Sequence, residues 1–521
     1  MKKSVLILLA ILALASCKKD EPATNADSVI DGEWVNRCDY EQRTAVFNPT
    51  GATLEVIENP LREGVDRSRH CAKLTHSSDG PNNNLLSEQF RHRFDFTANP
   101  AVFRLKVLPP ESGGTVRMSL LSDIPGIPTI QAVAEVAPGA QWKEVSFDFR
   151  KDGPDDNVYR QIALSFNPRK AVKGEIWYFD DLRCPSDDLS GIALFKRHSN
   201  APLFVPDGGR NWRGDHMANP SLISPKDSPD GNWWLYLRGS GSCPSYCDQI
   251  GLYKQDADDF KPFGPWKEYA HNPVLPVGPS GSYDDGFLLD PAAVVGKDGV
   301  VYVYYNGQKT GHSSHGLSVR YSTDGGYTFQ HTDKQIKPGY GCSDAVYHDG
   351  KYYIFYGGGN PCRLFVTVTE NPLSFEGAPT YETIPIGGGP SNFDSYAVNG
   401  SMVFRLEGVD KWFASYQGSS TSYDFPDRFH IAMSDDLIHW TKVDSRIPLF
   451  TRGSVGAWDE GAIWFCEIFE HKGMMYLYYE GWGNRFTTVL DRDLAYFPGQ
   501  SCIGAASCSK SDFLKWCGIS K

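Results

Sequence analysis

The 521-residue sequence has no long run of lysine or arginine after its N-terminus, and 51 basic residues against 63 acidic ones leave a net charge of −12. Binding to a phosphate backbone needs a basic face, so a nucleic-acid partner is excluded. There is no CxxC pair and no His/Cys cluster, which removes the usual donor sets for zinc. The apolar run at residues 4–16 is too short to cross a bilayer as a stable helix, which takes about 20 residues.

What is present favours β-structure. Hydrophobic residues make up 40% and charged residues 22%, enough to build proper cores. The 51 Gly and 34 Pro supply many turns, and aromatics reach 13%, a combination that favours strands over helices. The length leaves room for two or three domains.

The N-terminus reads "MKKSVLILLAILALASCKKD". Lys2 and Lys3 precede the apolar run, and small residues precede Cys17, the layout of a secretory signal. "LASC" resembles the lipobox of bacterial lipoproteins, and the resemblance implies cleavage before Cys17 and lipidation of it. The "KKDE" that follows resembles the surface-export signal of Bacteroidetes-type lipoproteins. The expectation is a signal peptide over 1–17, a tether over 18–29, and an exported lipoprotein on the outer membrane, held to the membrane through its lipid. In an oxidising compartment the remaining eleven cysteines can form disulfides, whose connectivity the spacing leaves open. Cys38, Cys71 and Cys184 share the first domain, while Cys243/Cys247, Cys342/Cys362 and Cys502/Cys508 are close in sequence.

Residues 30–188 form short alternating segments such as "TVRMSLLSD" and "KEVSFDFRK", which predict an antiparallel β-sandwich. "GEIWYFDDLRC" resembles the last strand of galactose-binding-type jelly rolls, the fold of many carbohydrate-binding modules. Asp180 and Asp181 there either help hold a structural Ca²⁺ or end a strand in solvent or an ion pair. "CPSDDLSG" at 184–191 marks the expected break between two separable domains.

Residues 190–521 are repetitive. Five segments share one strand pattern: "NWWLYLRGSG" at 232, "VVYVYYNGQ" at 300, "KYYIFYGGG" at 351, "KWFASYQGS" at 411 and "MMYLYYEGW" at 474. Each is followed by a second strand leading to a turn and an aromatic. The repetition predicts a five-bladed β-propeller. The segment before each of these strands is then the axial one, and acids stand near their starts: Asp215, Asp290, Asp344, and Asp459 with Glu460. Carboxylates that converge on an axis repel, which raises the pKa of at least one, as a general acid requires.

"LLDPAAVVGKDGVVYVYYNG" at 288–307 resembles the second-blade stretch of family 43 glycoside hydrolases, the arabinanase and xylosidase group. The resemblance implies that Asp290 supports the transition state and tunes the acid. "GCSDAVYHDGKYYIFY" resembles the third-blade stretch of the related invertase group, with Cys342 and Asp344 matching and Gly341 where that group carries its proton-donating Glu. In the first blade Asn219 precedes Pro220 where those families carry Asp. The missing acid is then supplied by Asp344 or Glu460, and the first-blade role falls to Asp215 or is absent. "GAWDEGAIWF" echoes "GSYDDGFLLD", either as a catalytic element used twice or as a repeated loop whose acid binds backbone amides.

Candidate sugar contacts are Trp212, Trp458, His216, His315 and Arg405, with Tyr283, Trp464, Trp482 and Arg452 nearby in the pattern. Aromatics at these places serve equally as core, and each histidine as a structural group. The function expected is an exported glycoside hydrolase acting on a poly- or oligosaccharide. It needs no cofactor and inverts configuration, with the carboxyl separation of about 6.5–9.5 Å that a wide axis allows. The alternative is a surface glycan-binding lipoprotein whose site has lost its acid, as Asn219 and Gly341 suggest.

Overall fold

The computed structural model describes residues 34–41, 46–81, 84–90, 93–186, 188–242, 246–297, 299–422, 426–454, 457–483 and 501–519. The signal segment, Cys17, the tether, Cys243 and Asp298 lie outside them. Among the described residues the regular structure is almost all strand, with one short α-helix, Lys510–Trp516, and one 3-10 turn, Arg150–Asp152.

The N-terminal part has two antiparallel sheets. One runs in the order Ala52–Glu58, His70–His76, Ile176–Pro185, Val102–Leu108, Lys143–Asp148, with Trp34–Cys38 also pairing to the 176–185 strand. The other runs Phe47–Thr50, Asn84–Ser87, Gln161–Phe166, Gly114–Leu121, Ile130–Val136. Alternate residues of both enter one core, among them Phe103, Leu105 and Val107 from the first sheet and Val116, Met118, Ile162 and Leu164 from the second. The period-two pattern of the sequence is this division between core and outer face.

In the second part, five strands run side by side in a closed ring: His216–Ile223, Phe287–Val295, Tyr340–His348, Ala397–Arg405 and Ala462–His471, the last lying against the first. They are called ring strands 1 to 5 below. Each pairs antiparallel with the repeated strand that follows it in sequence, and that strand with the next one outward. The first two repeats join into one eight-stranded sheet through a parallel bridge between Asp248 and Phe287.

A separate apolar core fills each of the five gaps between neighbouring repeats. Trp234, Tyr236 and Leu252 meet Val301, Val303 and Tyr305 in the first gap, and Tyr304 and Leu317 meet Ile354 and Tyr356 in the second. Phe355 and Val366 meet Tyr416 and Ala432, then Phe413 and Ile431 meet Leu477 and Tyr479. Trp233 and Leu235 meet Phe469 and Tyr478 in the gap that closes the ring. Each repeated strand is therefore buried on both faces. That is why "VYVYY" and "MYLYY" are continuous hydrophobic runs rather than alternating ones.

Each ring strand carries a β-bulge near its start, at Asn219, Asp290, Ser343, Gly400 and Phe465. Four of these residues take a left-handed backbone, with φ of 43° at Asn219, 52° at Asp290, 57° at Gly400 and 26° at Phe465. A bulge frees backbone amides from the ladder, and buried amides need acceptors. Neighbouring repeats supply them. Asn306 accepts from the Cys342 amide, Gln417 from Phe465 at 2.9 Å and Glu480 from Asn219 at 3.3 Å. Further along the ring strands Ser221 accepts from Ala293 at 2.9 Å, Asp344 from Val403 at 2.6 Å and Glu467 from Leu222 at 3.1 Å. Together these six bonds cross all five seams.

Candidate active site at one end of the ring

Asp290 sits in the bulge of ring strand 2, half-buried, and accepts a hydrogen bond from the Asn306 side-chain amide. Asn306 uses its other end on the Cys342 amide, so Asp290 is held by a residue that is itself fixed. Pro291 follows and offers no amide.

Around this end of the axis lies a charged network. Arg238 pairs with Asp248 at 3.0 Å and donates to the Asn219 side-chain oxygen at 3.2 Å. Burial works against the Arg238 charge, but the carboxylates of Asp248, Glu480 and Asp290 outweigh it and raise its pKa. Glu480 is 2% exposed and accepts from the Trp482 indole at 2.5 Å as well as from the Asn219 amide. Burial raises its pKa, with Arg238 pulling the other way. A buried carboxyl that holds its proton above the usual range has the property a general acid needs. His216 receives the Ser501 amide on Nδ1 at 3.0 Å, so its proton belongs on Nε2. Burial first, and Arg238 second, lower its pKa and keep it neutral. The buried side-chain nitrogens Asn219 Nδ2 and Gln417 Nε2 have no hydrogen-bond partner among the described residues.

The residues expected from sequence divide between the two ends. Asp290, Asp215 and His216 belong to this end; the Asp215 amide donates to Ser240 at 2.8 Å and its carboxylate is half-buried. His315 starts a third strand beside Gln308, half-buried, its pKa lowered by burial. Asp344 lies further along the axis, with its carboxylate taken up by the Ala345 and Val403 amides. Arg405 stands at the far end of ring strand 4, exposed, paired with Asp410 at 2.8 Å and lying over Trp412.

Trp212 and Trp458 serve as packing residues rather than sugar platforms. Trp212 is 6% exposed and fills the space over Gly239 and Gly251; a Cβ at Gly251 would meet its ring at 2.2 Å. Trp458 lies over Gly481 in the same way and stacks on Tyr479. Tyr283 over Gly307, Tyr340 over Gly358 and Phe393 over Gly418 complete the set. The aromatic and the glycine are one packing unit used five times.

The echo of "YDDG" in "WDEG" is structural in its first acid. Asp459 is fully buried and binds the Arg197 guanidinium at 2.7 Å and the Tyr479 hydroxyl at 2.8 Å. Asp284 binds Arg320 and Tyr305, each at 2.6 Å, and Asp394 binds Lys442 and Tyr416. The second acid of the first copy, Asp285, accepts the Gly281 and Thr310 amides at 2.7 and 2.8 Å. Its counterpart Glu460 is buried, and Arg452 donates to its carbonyl oxygen at 3.0 Å.

In the sandwich, Asp181 and Asp66 face the buried ammonium of Lys106, and Asp180 accepts the Ser68 hydroxyl at 2.5 Å. The cationic place between the carboxylates is taken by Lys106, so these residues do not fit Ca²⁺. Cys71, Cys342 and Cys508 are free thiols, which excludes the Cys342–Cys362 and Cys502–Cys508 pairings and any disulfide of Cys71.

Sequence reasoning passed over Arg238, Asn306, Gln417 and Glu480. Their signal is visible once the repeats are stacked: a polar residue just before the glycine in "LRG", "YNG", "YQG" and "YEG".

No family model matches the chain, and no curated protein matches it. Among solved structures it is similar to an N-acetylgalactosamine deacetylase from F. plautii in complex with blood group B trisaccharide, at 15% identity and a TM-score of 0.46, with 62% of this chain and 97% of that one covered. It is similar to a glycosyl hydrolase from Bacteroides ovatus at 14% identity and a TM-score of 0.41, covering 61% and 94%. A third is an endo-1,4-beta-xylanase from Bacteroides thetaiotaomicron VPI-5482, at 14% identity and 0.40, covering 54% and 87%.

Proposed function

We propose that the protein is an exported, lipid-anchored glycoside hydrolase, built as a jelly roll followed by a five-bladed β-propeller. Its chemistry is at the Asp290 end of the axis. The observation that carries this reading is the pairing of two unlike carboxyl groups around Arg238. Asp290 is half-buried on a left-handed bulge, and Glu480 is buried with a raised pKa. Glu480 is the proton donor to the leaving oxygen, and Asp290 activates the attacking water or supports the positive charge that builds on the sugar. The geometry around Gly341 fits this assignment. A Cβ there would stand 3.0 Å from the Asn306 side-chain amide, a tight contact, and Gly341 offers no carboxyl, so in this reading the acid comes from elsewhere.

The test is release of new reducing ends from a panel of polysaccharides. The parent is expected to cleave at least one of them. Asp290→Asn and Glu480→Gln are expected to be slower by about 10²–10⁴-fold. Retention of a glycan on an affinity gel with no cleavage would favour the second reading, a glycan-binding protein, which Asn219 in the first repeat supports. Equal turnover by Asp290→Asn and the parent would remove Asp290 from the chemistry.

A further inference from the structure

The far end of the ring opens into a cavity of about 1130 Å³, lined by the second halves of the ring strands. Asp344 of ring strand 3 and Glu467 of ring strand 5 both line it. They occupy the same register, two residues past the position held by Asp290 in ring strand 2. Each is bound by main-chain amides. Asp344 accepts from Ala345 and, across the seam, from Val403 of ring strand 4; Glu467 accepts from Leu222 of ring strand 1. Among the described residues no lysine, arginine or histidine bonds either carboxyl group, in contrast to Glu480 and Asp248 at the other end, which face Arg238.

We propose that Asp344 and Glu467 form a proton-sharing clasp across the axis: it holds the seams between strands 3 and 4 and between 5 and 1 while it carries a proton, and strains them once both groups ionise. Two buried carboxylates that line one cavity with no cation bonded to either repel, and retaining a proton on one relieves the repulsion. The proton leaves to solvent through the cavity. Burial pushes Asp344 up to about 7, and burial followed by the charge of Asp344 pushes Glu467 well above the ordinary carboxylate range.

Other charged groups also line the cavity, several of them paired. After ring strand 1, Lys226 is beside Asp227, which takes the Ser224 hydroxyl at 2.8 Å. Ring strand 2 contributes only Ala293, Val294 and Val295. His348 ends ring strand 3 and pairs with Asp349 at 3.3 Å. Arg405 ends ring strand 4 and pairs with Asp410, with Glu407 beside them. At the end of ring strand 5, Glu470 pairs with Lys510 at 2.7 Å, and His471 and Lys472 follow it. All of these remain unchanged in the variants below, so a comparison with the parent isolates the pair.

The sign follows from linkage. A carboxyl group whose folded pKa is raised contributes stability below its unfolded pKa near 4, and loses it as the pH rises through the folded pKa. Melting temperatures of the full chain, Asp344→Asn and Glu467→Gln are to be compared at pH 5 and pH 8. Each variant is expected to gain on the parent by more than about 2 °C between the two pH values. A difference that stays constant with pH overturns the proposal. Infrared spectroscopy gives a second reading. A protonated-carboxyl band at pH 6.5 that is gone by pH 9 and is reduced in Asp344→Asn or Glu467→Gln supports the clasp, since Glu480 contributes its own band to all three proteins. A band unchanged in both variants, or no such band in the parent at pH 6.5, overturns it.

Discussion

Glu480 and Asp344 are both buried carboxyl groups that bridge a seam, yet only Glu480 lies beside a cation. That difference fixes what each can do: Glu480 can hold a proton and still be steadied by Arg238, while Asp344 has main-chain amides alone. Asp290 was legible from its Asp-Pro step and its place at the start of a ring strand. Glu480 was not, because it sits in a strand read for its aromatics, and nothing in "YYEGW" says which side chain reaches the axis. Trp212 and Trp458 were legible as special but not as to use, since packing over a glycine and stacking on a sugar ask for the same residue type. Asn306 offers a test at this scale. Asn306→Leu removes the acceptor of the buried Cys342 amide and the donor to Asp290. It is expected to lower stability by about 1–3 kcal/mol in urea denaturation. The pH response of the Asp344–Glu467 pair should be unchanged.

The repeated element is a ring strand with a bulge, a partner strand with polar residue and glycine, and an aromatic lying over that glycine. The strand pairs were legible because two patterns recur five times in the same order. The bulges were not, because the left-handed position is filled by Asn, Asp, Gly and Phe in different repeats and so has no common letter. The merging of the first two repeats at Asp248 and Phe287 was equally hidden, since a single bridge leaves no periodicity behind. Gly481 tests the packing unit. A Cβ there would meet the Trp458 ring at 2.6 Å and the Asp459 Cβ at 2.7 Å, neither of which is the free end of a flexible chain. Gly481→Ala is expected to cost about 1–3 kcal/mol and to appear as a lower urea midpoint with an unchanged slope.

Across the whole molecule, the break at 184–191 was expected to divide independent domains, but buried charges tie the two parts together. Arg428 binds Asp95 of the sandwich and its own neighbour Asp427, both at 2.9 Å, and is 2% exposed. Asn157 donates to the Ser391 carbonyl at 2.6 Å, and Arg446 pairs with Asp156. Linker composition marks where a chain can be cut and is silent on ion pairs formed hundreds of residues apart. Arg428→Gln removes the cation bound to the buried Asp95 and is expected to cost about 3–5 kcal/mol, measured by chemical denaturation of the full chain. The same substitution should be nearly neutral if the sandwich only swings on a tether. The proposed lipid anchor is also tested on the whole protein. Cys17→Ala is expected to abolish labelling with palmitate and to move the protein from the membrane fraction to the soluble one; continued labelling would count against the lipobox reading.

Ring closure has a consequence for the order of synthesis. The outer strand of the last repeat is Lys196–Arg197, which comes before the first ring strand in sequence, and it pairs with Ser507 and Ala506 near the other end of the chain. Leu203 and Phe204 also bond to Ile503. About three hundred residues must therefore leave the ribosome before this seam can form, and until then ring strand 1 has an open flank. Such high contact order makes folding slow, and the closing step comes late. A ribosome stalled before Ser501 would carry three complete gaps, since Ala506, Phe513 and Leu514 belong to the fourth and Ile503 and Ala505 to the fifth, and an apolar face built around Trp233 and Leu235, ready for a chaperone.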